Sequence, residues 1–375
     1  MVQDRGILSD PLKGWGNDDL LFNEQARTLA KDDDAGVFEL LDWPEFRVEF
    51  QEHENSAKCW KKKSRTLGFS AVCMLGIGSA ALPVVSLTVA PVLLPLTFVC
   101  AVLIVCGFSF GFIHLCSNRG TPPWLSHRLF AERLRHLYFQ VILSEFDLLF
   151  SVLSGVQPKT HWYEARSKKL NAAIDSFDQQ FRSGWREMRD DIDFRDFEVL
   201  GCDLNSDKLS RAFQLADEQD SETFERLINR LNRQRIDIQY NFTARNLTQT
   251  VATPPLRNEL LSVFSALSVV GVPLVALVMG VFLFIGNGGV VHILTACLGT
   301  LASMGLIARV VEEGLKFKAD EERYSAYLSA VRVIKESYSS GGSKEKALAF
   351  RRLEQEAYRE TRQFFVTHLD DKFLG

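Results

Sequence analysis

Two long stretches of this chain, Thr66–Asn118 and Leu260–Ala308, contain no Asp, Glu, Lys or Arg. Each is long enough to cross a bilayer twice, since one crossing takes roughly 20 mostly apolar residues. Four segments reach that length: Leu67–Leu87, Val92–Leu115, Leu260–Ile285 and Val290–Ile307. Backbone in hydrocarbon must satisfy its own hydrogen bonds, which leaves helices or a closed barrel. No alternating strand pattern competes with the helical reading. The expected fold class is an all-α integral membrane protein, two transmembrane helical hairpins with a large cytoplasmic helical portion.

Average composition conceals this, because 46% hydrophobic and 24% charged residues over 375 positions would suit a soluble protein. The segregation carries the information. A net charge of -4 leaves no broad basic face, so no direct nucleic-acid binding is expected. Five of the seven cysteines lie in or beside the apolar blocks, and Cys59 and Cys202 stand alone without metal-ligand spacing. The first residues carry acids and no apolar core, so no cleavable secretory signal is expected.

The flanks set the orientation. Lys58, Lys61, Lys62, Lys63 and Arg65 precede the first span, and Arg119, Arg128 and Arg133 follow the second. Arg245 and Arg257 precede the third, Arg309, Lys316 and Lys318 follow the fourth, and both intra-hairpin turns are uncharged. The positive-inside rule then places both termini in the cytoplasm, with the Lys58–Arg65 cluster at the membrane interface of a bacterial inner membrane. Five regions follow: an N-terminal helical region over 1–65, hairpin 1 over 66–118, a central cytoplasmic helical domain over 119–258, hairpin 2 over 259–308, and a C-terminal helical hairpin over 309–375. The sequons at Asn241 and Asn246 are inert on the cytoplasmic side.

The first and third spans share a pattern. Phe69-Ser70-Ala71-Val72 with Gly76-Ile77 returns as Phe264-Ser265-Ala266-Leu267 with Gly271-Val272, which suggests a parallel duplication rather than the inverted repeat of many transporters.

Outside the membrane, apolar residues recur at helical steps. Leu134 and Tyr138 mark the buried stripe of a helix after the second span, with Trp124 as an interfacial anchor. Leu315, Tyr324, Tyr327, Leu328, Val331, Ile334 and Tyr338 mark another, expected to continue the fourth span as one rod and to project from the membrane as a stalk. Ser339–Ser343 breaks it, and a helix from Lys344 to Leu369 should fold back on it. Helices are also expected over Asn17–Lys31 with Asn17 as N-cap, from Pro44 into the first span, over His161–Met188, and over Asp207–Leu247 with a break near Glu218. Asp32–Asp34 reads as a linker, and Asp190–Asn205 as a loop.

The chain has no nucleophile elbow, Walker loop, dinucleotide-binding glycine pattern or zinc spacing, so neither an enzyme nor a cofactor is expected. The pairs Glu312-Glu313 and Asp370-Asp371 read as solvated or salt-bridged, and His161-Trp162-Tyr163 as helix packing. No span carries Asp, Glu, Lys or Arg, unlike ion-coupled transporters. The only histidines in the spans are His114 and His292, each near a bilayer face. Small residues recur instead at four-residue spacing: Gly107 and Gly111, Ala276 and Gly280, Gly299 and Ser303. Such pairs let helix backbones approach, within one chain or between copies in a homo-oligomer.

The order of a basic helix, a tight two-span hairpin and an amphipathic charged helix is carried by KCWKKKSRTLGFSA and FAERLRHLYFQVIL in the first half. FKADEERYSAYLSAVRVIKESY and RRLEQEAYRETRQFF carry it in the second. It resembles the SLATT family, the two-transmembrane effectors associated with SMODS and SLOG proteins in prokaryotic conflict systems, here occurring twice. The resemblance covers the membrane blocks and the helices after them, and leaves residues 1–40 and 160–235 unexplained. It implies a pore-forming or depolarising effector of antiphage defence, triggered in the cytoplasm by a sensor protein or a nucleotide signal. A membrane-anchored scaffold and a small-solute channel are the alternatives.

Overall fold

A computed structural model describes residues 19–86, 94–117, 123–183, 198–199, 202–252, 255–285, 288–315 and 317–369. Among them there is no strand, and fourteen α-helices carry the fold. In chain order they are α1 (Glu24–Asp33), α2 (Ala35–Leu41), α3 (Pro44–Ser86), α4 (Leu94–Ser117), α5 (Pro123–Ser144), α6 (Phe146–Leu153) and α7 (Lys159–Ser183). Then come α8 (Ser206–Gln219), α9 (Ser221–Leu231), a π-helical turn at Asn232–Asp237, α10 (Ile238–Ala252), α11 (Pro255–Ile285), α12 (Gly288–Leu315), α13 (Phe317–Ser340) and α14 (Ser343–Leu369). Several expectations fall outside the described residues: Asn17, Arg119, Lys316, Asp370-Asp371, the first hairpin turn beyond Ser86, and nearly all of the Asp190–Asn205 loop. The side chains of His114, Arg257, Arg309 and Glu312-Glu313 do so as well.

Local chemistry explains the helix starts. Asn23 accepts from the Gln25 amide at 3.0 Å and caps α1, so the first helix begins later than the predicted Asn17. Asp34, expected in a linker, caps α2 by accepting from the Val37 amide at 3.0 Å. Asn205 caps α8 through the amides of Asp207 and Lys208, and Asp220 restarts the chain as α9 close to the expected break. Pro44 opens α3, where its missing N–H costs nothing.

The chain divides into two compact units, each treated by itself. Unit 1 joins residues 1–55, 127–248 and 322–365, drawing on three of the five sequence regions. Its core is aromatic. Phe46 lies 5.3 Å from Tyr138, and Phe146 stacks on Phe213 at 4.2 Å with Phe224 and Phe350 around them. The predicted packing residues Leu134, Tyr138 and Val331 are buried here, while Tyr324 and Leu328 are only half-buried. The buried line of α13 is Arg323, Tyr327, Val331, Ile334 and Tyr338, so an arginine occupies the stripe where Tyr324 was expected. α14 runs antiparallel to α13, with Tyr338 5.7 Å from Phe350 at one end and Arg323 3.3 Å from Glu360 at the other. This hairpin is not a free stalk. Tyr338 donates to the Ile228 carbonyl and Phe213 lies 6.3 Å from Phe350, because its apolar stripe needs the central helices for cover.

Unit 2 joins residues 56–126, 249–321 and 366–375. Glycines bring its helices together. A Cβ at Gly107 of α4 would sit 2.7 Å from Leu75 of α3, and one at Gly78 2.9 Å from the Cys100 carbonyl. Gly76 of α3 faces Ile307 of α12, and Thr300 of α12 donates to the Ala80 carbonyl at 3.0 Å. Gly305 of α12 faces Ser268 of α11, and a Cβ at Gly271 would lie 3.4 Å from Leu301. Contacts thus run α4 to α3 to α12 to α11. The duplicated positions Gly76 and Gly271 both meet α12, so the sequence repeat is not matched by equivalent neighbours.

By length and composition, Pro44–Leu82 and Pro95–Ile113 are long and apolar enough to cross a membrane. Trp124–Ser144 with Phe146–Leu153 makes a third only if a 67° bend is counted as one span. That pair carries Arg128, Glu132, Arg133 and Arg135, and from His127 onward it supplies part of the unit 1 core. The expected third and fourth spans contain the shorter apolar stretches Val270–Phe282 and Gly289–Gly305. The predicted continuation of the fourth span into the C-terminal helix passes through position 316, which lies outside the described residues; α12 is described to Leu315 and α13 from Phe317.

Candidate functional site

The expected site residues fall in two places. In unit 2, Lys58, Lys62, Lys63 and Arg65 are exposed on α3, while Lys61 sits 4.8 Å from the Trp124 ring. Trp124 is buried and 6.0 Å from His368, a packed residue rather than an open interfacial anchor. Gly107 is buried at the α3 contact, and a Cβ on Gly111 would have Ala71 at 3.8 Å. Ala276, Gly299 and Ser303 are half-buried. Gly280 differs, because a Cβ there would meet nothing within 4 Å. Large apolar side chains turn outward: Phe98 is 70% exposed, Leu277 70% and Phe284 94%, with Val105, Phe108 and Phe112 continuing the α4 stripe. In water such a surface would drive association.

The second place lay hidden in the sequence. At the heart of unit 1 the π-helical turn widens the helix at Asn232–Asp237 and holds Arg235 inward, 1% exposed. Its Nε donates to Glu354 at 2.7 Å, its Nη1 to Asp19 at 3.1 Å, and its guanidinium lies 4.1 Å from the Phe139 ring centroid. Asp19 also accepts from Gln239 at 3.1 Å and stands 3.8 Å from Arg135. Glu354 is 3.0 Å from His136 Nδ1 through its other oxygen. Arg128 bridges Glu54 at 2.8 Å and Glu132, and Arg323 pairs with Glu360 between the rings of Tyr324 and Phe364. Charge and hydroxyl meet where Tyr327 donates to Gln239 at 3.2 Å.

The environment sorts the carboxyls. Burial would raise Glu132, but Arg128 and Arg135 outweigh it and bring the group down to about 2. Burial likewise opposes the ionised Glu354, yet Arg235 and His136 lower it. Glu360 goes the other way, since burial raises it beyond what Arg323 restores. A cavity of about 90 Å³ opens among these groups, lined also by Thr243 and Thr361. It has room for several waters. Ligand pockets for drug-sized molecules measure roughly 300–1,000 Å³, so a nucleotide does not fit as the side chains stand.

Other chemistry-bearing residues have structural duties. Trp162 donates to the Leu40 carbonyl at 2.8 Å, and Arg166 donates to Leu40 and Asp42 while stacking on Tyr163, so the His161–Tyr163 cluster closes the end of α2. The buried Cys202 thiol is pushed up to about 11 by burial, which suppresses its thiolate. Among the described residues no group of three His, Cys, Asp or Glu side chains converges to hold a metal. Sequence periodicity missed the ionic cluster because its members are charged residues set inside apolar stripes. Glu354 beside Leu353 and Arg323 in line with Tyr327 were the available signals. No protein-family model, no curated protein and no solved structure matches this chain.

Proposed function

We propose that this chain is a non-enzymatic membrane effector of a prokaryotic antiphage defence system, a homo-oligomer that forms a pore or depolarises the bacterial inner membrane when triggered from the cytoplasm. In this reading α3, α4, α11 and α12 make four crossings, with the apolar residues flanking Val270–Phe282 and Gly289–Gly305 completing the last two and both termini inside. Unit 1 is then the cytoplasmic part that receives a sensor protein or a nucleotide signal. The observation that carries the proposal is the outward apolar surface of the unit 2 helices, where Phe98, Leu277 and Phe284 suit lipid and not water. The resemblance to SLATT effectors supports the role. The open face at Gly280, beside Ala276, supports a second copy as neighbour, because small residues allow backbones to approach in lipid.

The test is inducible expression in bacteria carrying a membrane-potential dye, with phage infection as the trigger. Depolarisation within the infection cycle is expected, and its absence with the protein present in the membrane overturns the effector reading. Replacing the four crossings by an unrelated anchor should abolish the response. Retained protection would favour a membrane-anchored scaffold, and solute-selective flux in liposomes a channel.

A further inference from the structure

The five cations ahead of the first apolar block do not make one patch. Lys61 is half-buried with its amine 4.8 Å from the Trp124 ring, and Lys63 lies 4.9 Å from the Trp60 ring. Lys58, Lys62 and Arg65 are exposed. Because α3 runs unbroken from Pro44 to Ser86, helix geometry fixes where those three stand. At 3.6 residues per turn they and Phe69 fall within about 60° of arc, on one face. Phe69 is 52% exposed, and Lys62 and Arg65 precede it by roughly 6–10 Å along the axis. Deeper in, the same face closes, since Val72 is buried and Gly76 meets Ile307 of α12. The chain places no Asp or Glu between Glu54 and Glu132.

Cation and open aromatic ring follow one another on this face in the order in which a phospholipid presents its phosphate and its acyl chain. Trp60, 40% exposed at the level of the cations, is a residue type that collects at membrane–water interfaces. Arg65 offers a planar fork to two phosphate oxygens, and the lysines offer point charges. Free phosphate or a nucleic acid would use the cations and leave Phe69 in water. We propose that Lys58, Lys62 and Arg65 bind the phosphate of an anionic phospholipid, whose acyl chain lies against Phe69. This rests on the part of the functional reading that sets α3 across the membrane, and it adds the lipid class. A zwitterionic headgroup carries an amine that offsets its phosphate, so three clustered cations select phosphatidylglycerol over phosphatidylethanolamine. Bound there, the lipid fixes the depth at which α3 enters the bilayer.

The experiment is native mass spectrometry of the full-length protein in neutral detergent, titrated with phosphatidylglycerol or phosphatidylethanolamine of identical acyl chains. The wild type should retain the anionic lipid in preference to the zwitterionic one. A cation beside an anionic headgroup contributes about fivefold in affinity, so the triple variant Lys58→Gln, Lys62→Gln, Arg65→Gln should lose at least about tenfold of that preference. Three exposed cations of unit 1 replaced in the same way, Lys168→Gln, Arg332→Gln and Lys344→Gln, should leave it intact. Equal retention of the two lipids by the wild type, or a preference unchanged in the first triple variant, overturns the proposal. So does displacement of the lipid by inorganic phosphate or by a single-stranded oligonucleotide at equal concentration, which would assign the cations to that anion instead. None of these readouts depends on depolarisation, so failure of the phage test and failure of lipid selection are separate results.

Discussion

Units 1 and 2 are built from the same secondary structure and turn opposite kinds of residue outward. Unit 1 buries its aromatic residues and also a set of charges, of which Arg235, Asp19 and Glu354 are each 1% exposed. Unit 2 turns its phenylalanines outward and joins its helices through Gly76, Gly107 and Gly305. In water the apolar effect closes the core, and any charge taken along must be paired inside it. In lipid that driving force between helices vanishes, so close backbone approach is what remains to select neighbours. A helix here is therefore defined by what it hides, charge in one unit and glycine in the other.

The largest expected effect attacks the charge side of that contrast. Arg235→Ala leaves Asp19 and Glu354 facing each other inside unit 1 without the guanidinium that joins them. Breaking a buried pair from one side costs about 3–5 kcal/mol. Urea unfolding of the full chain in detergent, followed by near-UV circular dichroism of the buried Trp43 and Trp162, should show an unfolding free energy lowered by that amount and a correspondingly lower midpoint. A midpoint within error of the wild type would mean that the cluster is ornamental and that the aromatic core alone holds unit 1.

Acid should divide the units as well. Glu132 is lowered to about 2 in the folded chain from an ordinary carboxyl value of 4.5. A lowered carboxyl contributes stability above its unfolded value and surrenders it as the pH falls through the folded one, here between about pH 4.5 and about pH 2. The contribution is on the order of 3 kcal/mol. Glu360 runs against it, since a raised carboxyl favours the folded chain at low pH. Near-UV ellipticity should drop over that window while the far-UV helix signal of unit 2 persists, because no Asp, Glu, Lys or Arg lies within Leu67–Leu87 or Val92–Leu115. Glu132→Gln should flatten the drop.

Much of this architecture could be read from local pattern, and the part that could not is long-range. Pro44 as a helix start, the break near Glu218 and the turn after Tyr338 depend on residues within a few positions of each other, and the structure has each. α1 starts at the Asn23 cap, while the predicted cap Asn17 lies outside the described residues. Arg235, Asp19 and Glu354 were illegible, since their partners stand 119 and 216 residues away. In the apolar blocks, Gly107 was readable from its spacing, but Gly76, Gly78 and Gly305 lie outside any four-residue pair chosen from the sequence and still make the closest approaches. Spacing shows where a backbone can come near, and only the fold shows which side the neighbour takes.

Two glycines of unit 2 give the smallest and most discriminating test. Gly305 faces the Ser268 side chain of α11, whereas a Cβ at Gly280 would meet nothing within 4 Å. Gly305→Leu must push α12 from α11, and overpacking of this kind costs about 1–3 kcal/mol. Gly280→Leu adds an apolar side chain to an open face, so the isolated chain should keep its stability in detergent. The two variants should part ways again in the membrane. If the Gly280 face meets only lipid, cross-linked oligomer size is unchanged by the substitution. If a second copy sits there, Gly280→Leu should lower the oligomer yield without lowering the thermal midpoint of the single chain. Loss of both at once would move Gly280 to the class of Gly305, and the open face of α11 would no longer distinguish contacts within the chain from contacts between copies.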